Sequence, residues 1–468
     1  MTDTAHYDLC IIGGGSGGLG VAIGAALLGV PVALIEPGLP GTDGVEELAT
    51  ATLLAVAARI EAARWPPGPD EPAAIDLARI HAHVAATVEA AAATSAPERL
   101  RALGIHLIEG HARFLAPDRI ATDATPRILT ARRFVVAPVG TARVPPIPGL
   151  DQVPYLTAAS LPALDLLPDH LAVLGDGADA IELAQAYRRL GSTVTLIAGG
   201  DLLADHDPEL VDLLRVRLRA EGIEVLAGSP VSHVVQNSGG ISLTVEATTT
   251  VIASHVLIAG GRQPSLDALD LAAAGVQCGP AGILVDRRLR TSNRRVYALG
   301  DAAGLPDRVQ DVTVQAGIIL RRTLFRQNLS FDPLAQPRVV RTGPGLAQAG
   351  LTERQARAGG GGVTILRNPL HDNDRARAEG MAHGLVKVVT DRKGRILGAG
   401  ILAPNADELI QVWQLAIAQK LKVGTVAALP TPYPTLSEAS KRAAGAFFAP
   451  RLLSAGTKKL VRWLAILG

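Results

Sequence analysis

Cysteine, lysine, net charge and long apolar runs are all scarce in this chain, and each scarcity removes a class of function. Two cysteines in 468 residues, Cys10 and Cys278, rule out a disulfide framework, and neither a CxxC nor a Cys/His zinc spacing is present. Cys10 stands in the apolar run Leu9–Ile12, where a cysteine is ordinarily a small core hydrophobe. No lysine precedes Lys387, so no Schiff base or lysine-assisted chemistry can come from the first 386 residues. Compositional bias accounts for that arginine preference without any functional meaning. Charges nearly cancel, 45 Lys and Arg against 44 Asp and Glu, which leaves no electrostatic footprint for nucleic acid. No apolar run reaches the roughly 20 residues that cross a bilayer. The N-terminal MTDTAHYD lacks the basic and apolar regions of a signal peptide. A soluble cytoplasmic protein is the expectation. At 468 residues the chain exceeds one hydrophobic core and implies two to four domains.

What the chain has in abundance is glycine, 49 residues, and its placement is informative. The apolar strand Tyr7–Ile12 runs into Gly13-Gly14-Gly15-Ser16-Gly17-Gly18, a GxGxxG. An Ala-rich helix follows from Leu19, then a strand from Pro31 to Ile35 that ends in Glu36. Gly13 permits the tight turn, Gly15 lets backbone approach a pyrophosphate, and Gly18 lets helix and strand pack closely. The helix N-terminus then faces phosphate, and the terminal acid accepts from a ribose hydroxyl. A lone GxGxxG is weak; strand, loop, helix, strand and acid in order are much stronger.

A second unit repeats the pattern. Leu171–Leu174 leads into Gly175-Asp176-Gly177-Ala178-Asp179-Ala180, a GxGxxA, then a helix from Ile181 and a strand Thr193–Ile197. Where an acid is expected stands Ala198, followed by Gly199, Gly200 and Asp201. Downstream, the strand Arg295–Leu299 opens on Gly300-Asp301, which on its own is also an ordinary turn.

The order GxGxxG, GxGxxA, Ala298-Leu-Gly-Asp301 resembles the flavoprotein disulfide reductases, in the mercuric-reductase-like and dihydrolipoamide dehydrogenase branch. Val144–Leu150, Ala259–Pro264, Asn373–Ala376, Gly394–Gly398 and Tyr433–Glu438 extend the likeness over essentially the whole chain. The resemblance implies an α/β fold with two Rossmann-like domains, for FAD and NAD(P)H, and a C-terminal α+β dimerisation domain. The implied division is 1–150 and 262–335 for FAD, 151–261 for NAD(P)H and 336–468 for a homodimer interface. It further implies that Gly13, Gly15, Ser16, Gly18 and Glu36 hold the adenosine and pyrophosphate of FAD. Gly300 and Asp301 would hold the ribityl chain, and Gly175, Gly177 and Ala180 the nicotinamide cofactor.

The departures are as informative. Asp43 and Leu48 stand at the family's two redox cysteines, and disulfide exchange needs a thiolate. The family lysine beyond them is replaced by Ala51 or Thr52, while its carboxylate partner matches Glu182. The family's C-terminal acid/base histidine is Tyr433, a poor base but a fair hydrogen-bond donor, with Glu438 retained. Pro138, in the loop Ala137–Gly140, removes a backbone donor expected at FAD. Features of dithiol chemistry are missing while the central FAD signatures remain.

The expectation is an FAD-dependent NAD(P)H oxidoreductase that passes electrons to a small non-disulfide acceptor of quinone or dye type. Tyr433, Glu438 and Glu182 are its candidate catalytic residues. NADH is favoured over NADPH because Ala198–Asp201 offers no cation for a 2′-phosphate. The rival is a catalytically silent FAD-binding homodimer acting as scaffold or sensor. His81 and His83, two apart on one helix, point to different faces and make no metal site. His371, Asp372 and Asp374 read as a solvated loop. The apolar, basic stretch Phe447–Leu467 either packs across the dimer or lies on a membrane surface.

Overall fold

The computed structural model describes residues 4–64, 75–124, 127–246 and 249–466. The described chain divides into two compact units. The first comprises residues 1–146, 154–167 and 257–333, and the second 147–153, 168–256 and 334–468.

The first unit is built on a seven-stranded sheet. Strand β1 (Thr4–Ile12) is central, paired in parallel with β2 (Val32–Glu36) on one side and with Ile128–Val136 on the other. The strand Ile105–Glu109 continues the sheet beyond β2. The far edge of Ile128–Val136 is shared between Arg119–Thr122 and Val296–Ala298. Alternation along β1 assigns its two faces. Leu9 and Ile11 pack against helix α1 (Ser16–Ala26), through Leu19, Val21 and Ala25. Cys10 and Ile12 pack on the opposite face with Phe114 and Phe134. Each such fully buried aliphatic side chain contributes about 1.5–3 kcal/mol. Cys10 is therefore a core residue. Helix α2 (Thr42–Ala63) carries Asp43 and Leu48.

The second unit contains three parallel strands in the order Ile223–Ala227, Thr193–Ala198, His170–Leu174. The helix Ala178–Leu190 buries Ile181, Leu183 and Tyr187 and ends at Gly191, whose φ of 116° suits glycine. Three antiparallel strands between Val231 and Ala253 follow. The C-terminal part is a five-stranded antiparallel sheet with the helix Ala406–Ala418 on it, and that helix inserts the fully buried Trp413. The α/β class with two nucleotide-type folds and a C-terminal α+β part matches the sequence reading. No described helix is long and apolar enough to cross a membrane.

Candidate functional site

Two glycine loops, one in each unit, present helix N-termini at the ends of parallel strands. In the first, Gly13 has φ 103°, and a Cβ there would lie 2.3 Å from the Ala137 carbonyl and the Pro138 nitrogen. A Cβ on Gly18 would lie 2.0 Å from the Gly13 carbonyl oxygen. Both positions thus require glycine, one for the chain reversal and one for passage of α1 past the turn. Glu36 ends β2 and accepts hydrogen bonds from the Gly14 amide (2.5 Å) and the Gly38 amide (3.2 Å). Gly15 caps α1 with extended backbone, and α1 has no acidic residue in its own first turn.

An acid reaches that helix end from another element. The Asp43 carboxylate, in the first turn of α2, accepts from the Ser16 amide at 2.8 and 3.0 Å and from the Ser16 hydroxyl at 3.0 Å. A Cβ on Gly15 would meet Val139 Cγ2 at 2.6 Å and Asp43 Oδ2 at 3.2 Å. The resemblance puts Asp43 and Leu48 at the two redox-cysteine positions. The structure places Leu48 half-buried on α2 and turns Asp43 onto Ser16.

Also in the first unit, Asp301 accepts from the Gly140 amide at 2.7 Å and lies 3.5 Å from Arg262 Nε. Arg262 also pairs with Glu46 at 3.0 Å. The Gly300 amide donates to the buried Gln315 at 2.8 Å. Gln315 is a site residue absent from the sequence analysis; it shares the buried face of its helix with Asp311 and Thr323. Buried Asp311 on the same helix is pushed up to about 6 by burial, with Asp307 and Glu47 adding repulsion.

In the second unit, Gly175 has φ 158°, and Gly177 caps the helix Ala178–Leu190. No atom lies within 4 Å of a Cβ built on Gly177, and Ala180 is buried. Asp179 stands in this helix's own first turn, whereas α1 has no acid in its own. Glu182, on the same helix and 1% exposed, accepts from the Arg341 amide at 2.8 Å. A cavity of about 170 Å³ beyond Ala198 is lined by Asp201, His206, Arg215 and Arg354 among others. Its two guanidiniums come from distant sequence and were invisible in the reading of Ala198–Asp201.

Tyr433 and Glu438 lie apart from these loops in sequence, near the end of the second unit. Tyr433 is 72% exposed, and its hydroxyl donates to Asp374 at 3.3 Å. The Asp374 charge holds the phenol above its ordinary pKa, which makes it a still poorer base and leaves it a donor. Glu438 accepts from the Thr435 amide at 3.4 Å and stands 3.9 Å from Arg442. His371 and Asp372 are exposed, and no described cluster of His, Cys, Asp and Glu is able to hold a metal.

Lys387, the first lysine in the chain, is buried. Its ammonium contacts Asp207 at 2.9 Å, Glu209 at 2.8 Å and Glu353 at 2.9 Å. Burial works to lower its pKa, but the three carboxylates outweigh burial and raise it.

Residues 7–316 match the family described as pyridine nucleotide-disulphide oxidoreductase, and residues 336–444 match that family's dimerisation domain. The chain belongs to the pyridine nucleotide-disulphide oxidoreductase family. Mercuric reductase of Streptomyces lividans is 32% identical over 455 residues, covering 94% of this chain and 96% of its own. Mercuric reductase of Bacillus cereus is 36% identical over 321 residues, 67% of this chain, but there the match spans only 51% of the relative's length. Among solved structures, LpdA of Mycobacterium tuberculosis has a TM-score of 0.85 at 28% identity, covering 96% of this chain and 100% of its own. The HOCl-induced flavoprotein disulfide reductase RclA of Escherichia coli, in a Cu(II) complex, has a TM-score of 0.83 at 25% identity, covering 93% and 99%.

FAD and a nicotinamide nucleotide are the cofactors expected of this oxidoreductase family, and its dimerisation domain implies a homodimer. The backbone fits a dinucleotide at both glycine loops: tight glycines, a helix N-terminus at the end of a parallel strand, and an acid ending β2 in the first. One side chain, Asp43, does not fit.

Proposed function

We propose that this family member is an FAD-dependent NAD(P)H oxidoreductase whose electrons pass to a diffusible quinone- or dye-type acceptor rather than to a disulfide. The observation that carries the reading is the state of the thiols. Both cysteines are free and burial raises both pKa values, and in this reading the family's redox positions fall at Asp43 and Leu48.

In this reading Gly13, Gly15, Ser16, Gly18 and Glu36 hold the adenosine diphosphate part of FAD, and Gly300 and Asp301 orient its ribityl chain. Gly175, Gly177 and Ala180 hold the nicotinamide nucleotide. When bound, FAD supplies the two-electron chemistry. The balance is NADH, a proton and a quinone giving NAD⁺ and a hydroquinone. Tyr433 is the proposed donor to an acceptor carbonyl, set by Asp374 and by the Thr435–Glu438 turn. Glu182 holds the Arg341 backbone and is the remaining acid of the family pair. NADH is preferred because Ala198 is followed by an acid, Asp201, although Arg215 and Arg354 share the nearby cavity. The site of action is the cytoplasm, with the helix Ala455–Leu464 resting on the membrane surface.

A second reading, an FAD-binding homodimer without turnover, is favoured by one observation: Ala198 leaves the nicotinamide ribose without its usual acid. Anaerobic stopped-flow spectroscopy separates the two. NADH should bleach the flavin absorbance, and a benzoquinone should restore it. Tyr433→Phe should slow recovery more than bleaching. A flavin that stays oxidised for minutes under excess NADH would leave the silent dimer as the account.

A further inference from the structure

Two helix N-termini in one family member differ in a way that the motif does not show. At Gly177 the space about the glycine is open, and the helix carries its own first-turn acid, Asp179. At Gly15 the Ser16 amide, the first donor of α1, and the Ser16 hydroxyl are engaged by a carboxylate from α2. Backbone amides at a helix N-terminus and the aligned peptide dipoles stabilise one anion there, whether carboxylate or phosphate. The acids around the loop are otherwise compensated. Glu46 and Asp301 face Arg262, Glu47 accepts from the Val309 amide and faces Arg308, and Glu36 accepts from Gly14 and Gly38. Among the described residues Asp43 pairs with no cation; its hydrogen bonds come from Ser16 alone. The charge of Asp43 is thus satisfied by the same donors that a dinucleotide pyrophosphate takes.

We propose that Asp43 is a resident anion on the flavin cradle, and that FAD binds only as Asp43 leaves Ser16. This rests on the reading that the first unit binds FAD. Two consequences follow from the geometry. Without FAD, Asp43 caps α1 and stabilises the unit. With FAD, its charge opposes the pyrophosphate and lowers affinity. The one residue therefore stabilises the empty protein and destabilises the loaded one. A plain capping residue stabilises both.

The test titrates FAD into the full-length chain after flavin removal, following quenching of flavin fluorescence at fixed ionic strength. Asp43→Asn removes the charge, and Asp43→Ser also keeps a capping hydroxyl should the first variant fold poorly. Loss of a charge-assisted bond set predicts a dissociation constant lower by about tenfold to a hundredfold in both variants. Melting without FAD should occur at or below the wild-type temperature, and saturating FAD should raise it more in the variants than in wild type. Equal, measurable dissociation constants in all three proteins overturn the proposal and leave the flavin reading standing. Absence of FAD binding in wild type and both variants defeats the flavin reading, and the proposal with it.

Discussion

At the scale of single residues, chemistry legible in the sequence and chemistry created by folding separate cleanly. The glycines at 13, 15 and 18 announce themselves by spacing, because a turn, a backbone approach and a close crossing each need a missing side chain. Asp43 does not, since nothing in its neighbourhood of sequence says that it will reach Ser16, 27 residues away. Lys387 behaves likewise. Its rarity is visible, but its three carboxylate partners come from Asp207, Glu209 and Glu353. Hydrogen bonding to Arg367, with help from Lys387, holds Glu209 down at about 2. A depressed carboxylate pKa stabilises the fold above its unfolded value, and that contribution is lost as pH falls towards about 2. The buried centre of this cluster is the Lys387–Asp207 pair, with both side chains almost wholly enclosed. Lys387→Met strands the Asp207 charge and should lower the unfolding free energy by about 3–5 kcal/mol in a denaturant titration. Adding Asp207→Asn should recover part of the loss, and an unchanged midpoint for Lys387→Met would refute a stabilising role for the pair.

At the scale of elements, type was easier to read than extent. The first helix begins at Ser16 rather than near Leu19, because Gly15 provides the extended cap and glycine-rich sequence hides the first turn. The sequence analysis assigns no element to the stretch beyond Glu36; from Thr42 to Ala63 it is a helix of 22 residues. The C-terminal helix Ala455–Leu464 lies beyond residue 444, where the dimerisation match ends. Leu460, Val461, Trp463 and Leu464 are exposed on it, and Leu467 of the apolar stretch lies outside the described residues. No acid follows Glu438 in the sequence, whereas Lys441, Arg442, Arg451, Lys458, Lys459 and Arg462 do. Two copies meeting through this helix would oppose like charges, and an anionic surface would not. Each basic residue near anionic lipid contributes about 1 kcal/mol. Full-length protein should therefore co-sediment with vesicles containing phosphatidylglycerol, far less with neutral ones, and less again as salt rises. A chain ending at Ala446 should not sediment. Equal binding to neutral vesicles, or none to either kind, would remove the membrane reading and return the helix to a dimer contact.

At the scale of the whole molecule, the family's dimerisation domain occupies residues 336–444, and the five-stranded sheet with its buried Trp413 gives that region a core of its own. Light scattering should report twice 48.4 kDa, and a single-chain mass would contradict the dimer. The order of motifs along the chain makes this organisation legible, since each nucleotide fold repeats the same strand–loop–helix grammar. What sequence does not carry is which groups occupy a helix end once the chain has closed, and that decides how readily a cofactor enters. One last consequence comes from where the ammonium groups are. Lys387 is enclosed, and the six other lysines, at 393, 420, 422, 441, 458 and 459, all follow it. Apart from the chain's α-amine, an amine-reactive cross-linker therefore finds its targets only in the last 76 residues, from position 393 to 468. Any covalent bridge between two lysines of different copies reports contact through that C-terminal stretch alone. The molecule thus carries a chemical ruler for its own assembly, with the nucleotide loops left unmarked.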